Sequence, residues 1–367
     1  YVTLHVGLDT FAPVTEDDPE EPFWAFAQGT LRELKEEIGL VIDHDELQKS
    51  VVGLVNDEST AVGKVHLGIC LILEVDRAEA EKIIASADVL ANVSGACWLR
   101  PETAAIPLKL FLDGDPMFTQ IGLATDPESE YAKRVASHER HFSFGMNIGQ
   151  KGCEVPTAGL HWRPTVQPIA LDYWNPASPA PTMPHIADGA WTTVMNWASY
   201  APKDFQGKKY GQKDIEFERF LDLPQISDEK FVLAMGQGVG NKRPTEMLES
   251  KGWQIIEPDT YLPDYTTYHD FLSRSKGEWS IAKNGYVTSR SGWFSCRSAC
   301  YLAAGKPVVV QDTAWSDHLP SGDGAIAFNT PEEAAKALDL INKNYTHHSA
   351  AARAYAEKHF DAARVCE

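Results

Sequence analysis

The stretch SGWFSCRSACYLAAGKPVVV, residues 291–310, predicts the fold of the region around it. Four small or apolar residues recur at helical spacing and form one stripe: Phe294, Ala299, Leu302 and Ala303. Gly305 and Pro307 then end the helix, because glycine tolerates positive φ and proline lacks a backbone donor. The β-branched run at 308–310 is typical of a strand buried on both faces of a parallel sheet. The stretch therefore predicts one helix–strand unit of an α/β fold.

Polar residues flank this unit on both sides. Four of them precede the helix, where free N–H groups and the helix dipole favour an anion: Ser289, Arg290, Ser291 and Gly292. Lys283 lies a few residues earlier, in SIAKNGY. Asp312 and Thr313 follow the strand at its carboxyl end, the edge at which open α/β sheets bind ligands. The pattern predicts a phosphate site, although an ordinary helix–strand unit with a polar loop explains it equally well.

Length and charge limit the function classes. A chain of 367 residues is longer than a single core usually organises, so two or three domains are expected. The net charge of −19 argues against nucleic acid or an anionic membrane as the main partner, because both attract basic surfaces. A phosphate ligand must therefore be held by local cations and backbone dipoles.

The cysteines are scattered and contain no CxxC pair. Cys296 and Cys300 lie four residues apart on the predicted helix and are expected to be a reduced pair. This usage predicts neither a disulfide framework nor a zinc site, and a reducing cytoplasm is the expected compartment. The sequence shows no apolar run of membrane-spanning length, so no membrane span is expected.

Changes of pattern along the chain predict its organisation. Residues 1–76 combine strand-like runs with one charged helix, and residues 77–174 continue with strands and helices of their own. Residues 175–190 are rich in proline and small residues and are the predicted linker. In residues 191–367, apolar strands alternate with helices, which argues for βα units and a parallel sheet. Two amphipathic helices end the chain, and Pro331 suits the first turn of one of them.

A cluster of carboxylates stands out in the first region. LRELKEEIGL, residues 31–40, places Glu33, Glu36 and Glu37 on one helical face. Like charges this close repel, and a divalent cation such as Mg²⁺ would relieve the repulsion with oxygen ligands. A solvated acidic helix, compensated by its basic neighbours, explains the same spacing.

The same ten residues resemble the core of the Nudix box, R-E-U-x-E-E-x-G-U with U aliphatic. The matching positions are Arg32, Glu33, Leu34, Glu36, Glu37, Gly39 and Leu40. The resemblance implies that Glu36 and Glu37 bind Mg²⁺, that Glu33 is a further ligand or a catalytic base, and that the substrate is a nucleoside-diphosphate-linked molecule. Trp24 stands where the upstream glutamate of the box belongs, and the resemblance stops near Val75. The segment therefore resembles only part of a Nudix domain.

From about residue 80 to the end, the chain resembles bacterial glycosyltransferase-like proteins of the GT-B architecture. The strongest block is WSIAKNGYVTSRSGWFSCRSACYLAAGKPVVVQDT, residues 279–313, which ends a helix with small–Gly–x–Pro–Val–Val at 304–309. The resemblance implies two Rossmann-like domains with the active site in the cleft between them. The expected fold is thus α/β and GT-B-like: a carboxyl-terminal Rossmann-like domain, and an incomplete or atypical amino-terminal α/β region that contains the Nudix-like segment.

The GT-B resemblance also implies site residues. The residues that it assigns to the donor diphosphate and to the cleft around it are Lys283, Arg290, Ser291, Gly292, Asp312 and Thr313. Arg297 either faces the pocket or lies on an exposed helix side. On the acceptor side the candidate bases are Asp113, Asp115, His138 and His141. Many retaining GT-B enzymes carry two glutamates in the final block, whereas Gly292 and Cys300 stand at those positions here.

Three functions follow from these features. The first is transfer of a sugar from a nucleotide-sugar donor to an unidentified acceptor, for which no cofactor is required because cationic groups and a helix terminus stabilise the departing diphosphate. The second is Mg²⁺-dependent hydrolysis by the Nudix-like segment. The third is nucleotide-sugar binding without catalysis. The join between the two resemblances has three open explanations: a fusion with an abbreviated first domain, a broken coding sequence, or a first segment that completes the second region's sheet.

Overall fold

The computed structural model describes residues 51–55, 68–71, 82, 84–95, 99–174, 185–238 and 243–367, which fall into two compact units, Tyr1–Ser86 and Ala87–Glu367. In the first unit, strand β1 (Val51–Val55) pairs antiparallel with β2 (Gly68–Leu71), which confirms two of the predicted strand runs. The predicted metal ligands and base, Glu33, Glu36 and Glu37, lie outside the described residues, as does most of the predicted linker.

The second unit begins with a four-stranded parallel sheet. Its strands lie in chain order: β3 (Val89–Val93), β4 (Leu108–Asp113), β5 (Arg140–Ser143) and β6 (Trp162–Pro164). Helices α1 (Phe118–Thr125) and α2 (Glu130–Ala136) connect β4 to β5. Within the described residues β3 is an edge strand, and Val89 and Val93 are half exposed on it.

The second sheet of this unit has six parallel strands in the spatial order β11-β10-β7-β12-β13-β14. Their bounds are β7 (Trp191–Ala198), β10 (Phe231–Gly238), β11 (Gln254–Ile256), β12 (Gly277–Ser280), β13 (Val308–Gln311) and β14 (Ala325–Phe328). Counted from the first strand of the sheet, this order is 3-2-1-4-5-6, the order of a doubly wound Rossmann sheet. The chain reverses direction across the sheet between β7 and β12, and such a switch point is where doubly wound folds bind ligands. The predicted α/β class with parallel strands is confirmed.

Helices and a small hairpin connect the strands of this sheet or follow its last strand. The hairpin is β8 (Lys203–Phe205) with β9 (Lys208–Tyr210). The helices are α3 (Lys213–Phe217), α4 (Thr245–Ser250), α5 (Pro258–Tyr261), α6 (Tyr265–Arg274), α7 (Asn284–Thr288), α8 (Cys296–Ala303), α9 (Pro331–Lys343), α10 (Tyr345–His359) and α11 (Ala362–Val365). Pro331 opens α9, and the Thr330 hydroxyl caps it by accepting from the N–H of Glu333, so the predicted helix start is confirmed.

The core of the second sheet is aromatic on one face. Five large rings pack there without solvent contact: Trp191, Phe217, Phe231, Trp253 and Trp279. The ring centroids of Trp253 and Trp279 are 4.8 Å apart. On the opposite face α8 packs against α10, with Tyr301 and Leu302 fully buried. Rings of this size each bury roughly 150–250 Å², so the sheet is a rigid support for the loops at its carboxyl edge.

The quoted stretch folds as predicted in its second half and differently in its first half. Helix α8 ends at Ala303, Gly305 follows with a φ of 69°, and β13 is buried throughout. The helix begins only at Cys296, so Phe294 precedes it. Across the described residues, every helix is too short or too polar to span a membrane.

Candidate functional site

A cavity of about 420 Å³ lies between the two sheets of the second unit. From the first sheet, Gly114 and Phe144 line it just beyond the ends of β4 and β5. From the second sheet, Val194 in β7 and Arg297 in α8 line it beside the switch point. Ligand cavities of small molecules are typically about 300–1,000 Å³, so this cavity is large enough to be a binding site.

The start of helix α8 forms one wall of the cavity. Ser295 precedes the helix, and its side chain makes no capping hydrogen bond. The N–H groups of the first three helical residues, Cys296, Arg297 and Ser298, have no acceptor among the described residues. These groups carry the positive end of the helix dipole, so this wall attracts an anion.

Arg297 is a buried residue of this wall. Its Nε lies 2.5 Å from Oε1 of Glu278, which is itself fully buried in β12. Its two terminal nitrogens donate to the carbonyl of Val194 and to the hydroxyl of Ser280, at 2.6 and 2.5 Å. Burial lowers the pKa of Arg297, but the carboxylate of Glu278 outweighs burial and raises it above its ordinary value. Of the two alternatives considered for Arg297, the structure supports the cavity, where Glu278 neutralises most of its charge.

A second cation near the cavity, Lys213, was not singled out from the sequence. It is the first residue of α3, and its ammonium has neither a carboxylate nor a hydrogen-bond partner in the described part of the chain. Burial, and then the positive charges of Arg297 and Lys283, lower its pKa well below the ordinary lysine value. The carboxylate of Glu278 offsets these effects only in part, so the charged form of Lys213 is disfavoured unless an anion lies nearby. A signal was present: the lysine stands at a helix start in YGQKD, directly after a strand.

Lys283, the first predicted diphosphate ligand, is paired across the cleft. Its ammonium lies 2.9 Å from Oδ1 of Asp115, which follows β4 in the first sheet. The hydroxyls of Tyr200 and Tyr286 also donate to this carboxylate, the former at 2.5 Å. The rings of both tyrosines and of Phe118 surround the ammonium, with centroids 4.6 to 5.3 Å away. We call Asp115, Tyr200, Lys283 and Tyr286 the interlobe cluster.

The predicted anion loop, residues 289–292, packs against the segment that follows β5 and is not among the residues that line the cavity. Arg290 has a φ of 52° and is exposed, with its guanidinium 3.2 Å from Asp317. Gly292 has a φ of 77°, and a Cβ there would come within 2.8 Å of the backbone nitrogen of Asn147. Ser291 is buried, and its carbonyl accepts from the same nitrogen. Residues 293–295 separate this loop from the first helical residue, so the loop does not provide the free N–H groups of α8.

Asp312 and Thr313 lie beside this loop, at the carboxyl end of β13. The Thr313 hydroxyl donates to the carbonyl of Trp293 at 2.6 Å, and its own carbonyl accepts from the N–H of Gly292. Asp312 accepts from the hydroxyl of Ser316 at 2.7 Å. The structure therefore brings Ser291, Gly292 and Thr313 together and leaves Lys283 and Arg290 apart. The ligand roles of these residues stay predictions.

The acceptor-side candidates separate into buried and cleft residues. Asp113 is fully buried; burial raises its pKa, while hydrogen bonds from Ser143 and Gln120 lower it by less. His141 is a buried residue of β5, bonded through Nε2 to the carbonyl of Val135 at 2.8 Å, and burial lowers its pKa. His138, also buried, lies in the turn before β5. The two histidines do not share a helix, because β5 begins between them. Asp115 alone of the four contacts the second sheet's side of the cleft.

Cys296 and Cys300 are in contact on α8, as the spacing allowed. Cys296 is exposed and lines the cavity, whereas Cys300 is buried beneath it. A hydrogen bond from Cys300 lowers the pKa of Cys296 to about 7, with a further contribution from Arg297 against the opposing effect of burial. The same contact raises the pKa of Cys300.

No protein-family model and no curated protein matches the chain. Among solved structures, it is similar to HepE from Anabaena in complex with UDP and glucose, at 10% identity and a TM-score of 0.46 over 78% of each chain. It is similar to a glycosyltransferase from Rickettsia africae at 11% identity and a TM-score of 0.43, over 90% of this chain and 83% of that one. Sucrose-phosphate synthase from Thermosynechococcus elongatus gives 11% identity and a TM-score of 0.45, over 93% and 90%. Because the sequence identity is this low, the roles of residues in these proteins are not assigned to residues of this chain.

Proposed function

We propose that this chain is a glycosyltransferase that binds a nucleotide-sugar donor in the cavity between the two sheets of its second unit. The observation that carries the proposal is the position of the cavity. It lies at the switch point of a sheet with Rossmann strand order, and the unpaired N–H groups of α8 line it. The sequence resemblance of residues 279–313 to GT-B proteins supports the same assignment.

The donor diphosphate is assigned to the start of α8. Its oxygens accept hydrogen bonds from the N–H groups of Cys296, Arg297 and Ser298, and the helix dipole adds attraction. A bound diphosphate raises the pKa of Lys213, which burial and the neighbouring cations otherwise lower, and the lysine then adds a positive charge that Arg297, already paired with Glu278, does not supply. When the bond between the sugar and the diphosphate breaks, negative charge grows on the diphosphate, and these fixed groups stabilise it.

The acceptor is assigned to the side of the first sheet. An acceptor hydroxyl attacks the anomeric carbon, loses its proton to a base, and displaces the nucleoside diphosphate. Among the predicted bases, Asp115 is the one at the cleft, and its carboxylate is held by three donors of the interlobe cluster. Lys283 and Tyr286 donate to Oδ1 and Tyr200 donates to Oδ2, so one acceptor position on Oδ2 is left for the hydroxyl of the acceptor.

Isothermal titration tests the donor site. UDP, GDP, UDP-glucose and GDP-mannose are titrated into the wild type, into Lys213→Met and into Lys209→Met, the matched control on the exposed hairpin strand β9. We expect at least one of the nucleotides to bind the wild type, and Lys213→Met to weaken it by roughly 10- to 100-fold, the value of a charged hydrogen bond. The control should bind like the wild type. Failure of all four to bind the wild type would overturn the proposal.

Turnover separates the transferase from the binding-protein alternative. Nucleoside diphosphate release from the bound nucleotide sugar is followed in the presence of a panel of sugar, lipid and protein acceptors. Release that depends on an acceptor supports transfer. Tight binding without release across the panel favours a protein that binds nucleotide sugars without catalysis.

A further inference from the structure

Gln167 lines the cavity, and one atom of its side-chain amide is unpaired within the described part of the chain. The residue is 4% exposed. Its Nε2 donates to the carbonyl of Phe294 at 2.7 Å. Its Oε1 is buried and has no hydrogen-bond partner among the described residues. Because a carbonyl can only accept, the nitrogen must face Phe294, and the oxygen is therefore the free end of the amide.

This free acceptor requires a donor from outside the described residues, either a water molecule or a group of a ligand. A buried carbonyl oxygen without a partner is rare, because its lost hydration is not replaced. A phosphate group cannot satisfy it, since phosphate oxygens are themselves acceptors. A hydroxyl can satisfy it, because the O–H donates. The chemistry of Gln167 is therefore opposite to that of the α8 terminus, which takes an anion.

The unpaired oxygen of Gln167 and the free N–H groups of α8 are both positioned by the short segment that leads into the helix. Phe294, which orients the amide of Gln167, is two residues before Cys296, the first residue of α8. Gln167 itself lies between the two sheets, after β6 and before β7. A ligand that spans this wall must carry an anionic group and, next to it, a hydroxyl. A glycosyl diphosphate has this order of groups, with sugar hydroxyls adjacent to the phosphate that carries the sugar.

We propose that Oε1 of Gln167 accepts a hydrogen bond from a hydroxyl of the donor's sugar and so selects the nucleotide sugar over the free nucleoside diphosphate. The inference rests on the proposed function and adds a specificity-determining residue to it. Gln167 is a binding residue in this assignment and transfers no proton.

The test compares two nucleoside diphosphates and two nucleotide sugars on three proteins. UDP and UDP-glucose, and likewise GDP and GDP-mannose, are titrated into the wild type, Gln167→Met and the exposed control Gln150→Met. We expect Gln167→Met to weaken the nucleotide sugar by about 5- to 100-fold, the range for an unpaired buried partner, and the nucleoside diphosphate by less than about twofold. Gln150→Met should change neither affinity. An equal loss for both ligands would mean that Gln167 only supports the Phe294 loop, and would overturn the inference.

A second arm uses the wild-type protein alone, so that it does not depend on the folding of the variant. The 2-, 3-, 4- and 6-deoxy forms of the bound nucleotide sugar are compared with the parent. We expect one of them to bind about 5- to 100-fold more weakly. Deoxy forms that all bind like the parent would overturn this inference and leave the proposed function standing. No binding of any nucleotide or nucleotide sugar to the wild type would overturn both.

Discussion

The ammonium of Lys283 lies 2.9 Å from the carboxylate of Asp115, and this ion pair joins the two sheets of the second unit across the cleft. Asp115 follows β4 in the first sheet, and Lys283 follows β12 in the second. The Lys283 side chain is 16% exposed, and that of Asp115 is 35% exposed. The pair is thus partly shielded from water, and loss of either partner leaves the other with a poorly compensated charge.

The interlobe pair should contribute measurably to stability. We expect Lys283→Met and Asp115→Asn each to lower the free energy of unfolding by about 1–3 kcal/mol, less than for a fully buried pair because Asp115 is one-third exposed. A double-mutant cycle by urea unfolding should give a coupling energy of about 1 kcal/mol. The exposed pair Lys133–Glu128, at 3.4 Å, is the matched control and should couple by less than about 0.5 kcal/mol. Equal coupling in the two pairs would contradict the prediction.

We expect Lys213 to lower the free energy of unfolding and to strengthen the binding of an anionic ligand. Its pKa in the folded protein is lowered by burial and by the neighbouring cations, so the folded chain binds this proton more weakly than the unfolded chain, whose lysine has a pKa of 10.5. Between the two pKa values the unfolded state carries the extra proton, and the free energy of unfolding therefore rises with pH. Lys213→Met removes both the cost and the pH dependence.

We therefore expect Lys213→Met to be more stable than the wild type at pH 7, with the difference shrinking as the pH approaches 10. Urea unfolding at pH 7, 8.5 and 10 measures this, and Lys209→Met serves as the exposed control. A variant that is less stable than the wild type at pH 7 would mean that Lys213 has a favourable partner in the folded state.

Local patterns predicted the elements that depend on neighbouring residues. The stop at Gly305 and the buried strand β13 followed from residue types within one short stretch, and so did the start of α9 at Pro331. These features depend on φ preferences and on apolar periodicity, which act between residues close in sequence.

The site residues that the sequence did not reveal depend on long-range contacts. Gln167 and Phe294 are 127 residues apart, and only the packed fold brings the amide to the carbonyl. The sequence predicts that Lys283 lies at the diphosphate. It does not reveal that Asp115, which is 168 residues away in the chain, forms an ion pair with Lys283 in the fold. Arg290 points to Asp317 because its own positive φ turns the loop. Pairings of this kind have no signature in local spacing.

The carboxylates of the predicted helix at residues 31–40 should not affect binding at the donor site. The cavity obtains its attraction for anions from α8 and Lys213, so Glu36→Gln and Glu37→Gln should leave nucleotide-sugar affinity within about twofold, with or without Mg²⁺. Titration calorimetry measures the affinity. Phosphate release from a panel of nucleoside-diphosphate-linked compounds is measured in parallel. Release that requires Mg²⁺ and disappears in both variants would support the hydrolase alternative.

Cys296 should be the most reactive thiol near neutral pH. The hydrogen bond from Cys300, and then the positive charge of Arg297, lower its pKa to about 7, and it faces the cavity. Because the thiolate is the reactive form, the rate of iodoacetamide labelling at Cys296 should reach half its maximum near pH 7. Peptide mapping by mass spectrometry assigns the label.

The control for this labelling is Cys296→Ser, which should lack the fast phase. A nucleotide that fills the cavity should slow the labelling of Cys296, because the thiol and the free N–H groups of α8 share one wall. Cys153 is the internal reference: it is half buried, and burial raises its pKa, so it should react slowly at pH 7 with or without the nucleotide. A half-maximal pH above 8.5 for Cys296, or labelling that a tightly bound nucleotide does not slow, would place the thiol outside the ligand-binding wall.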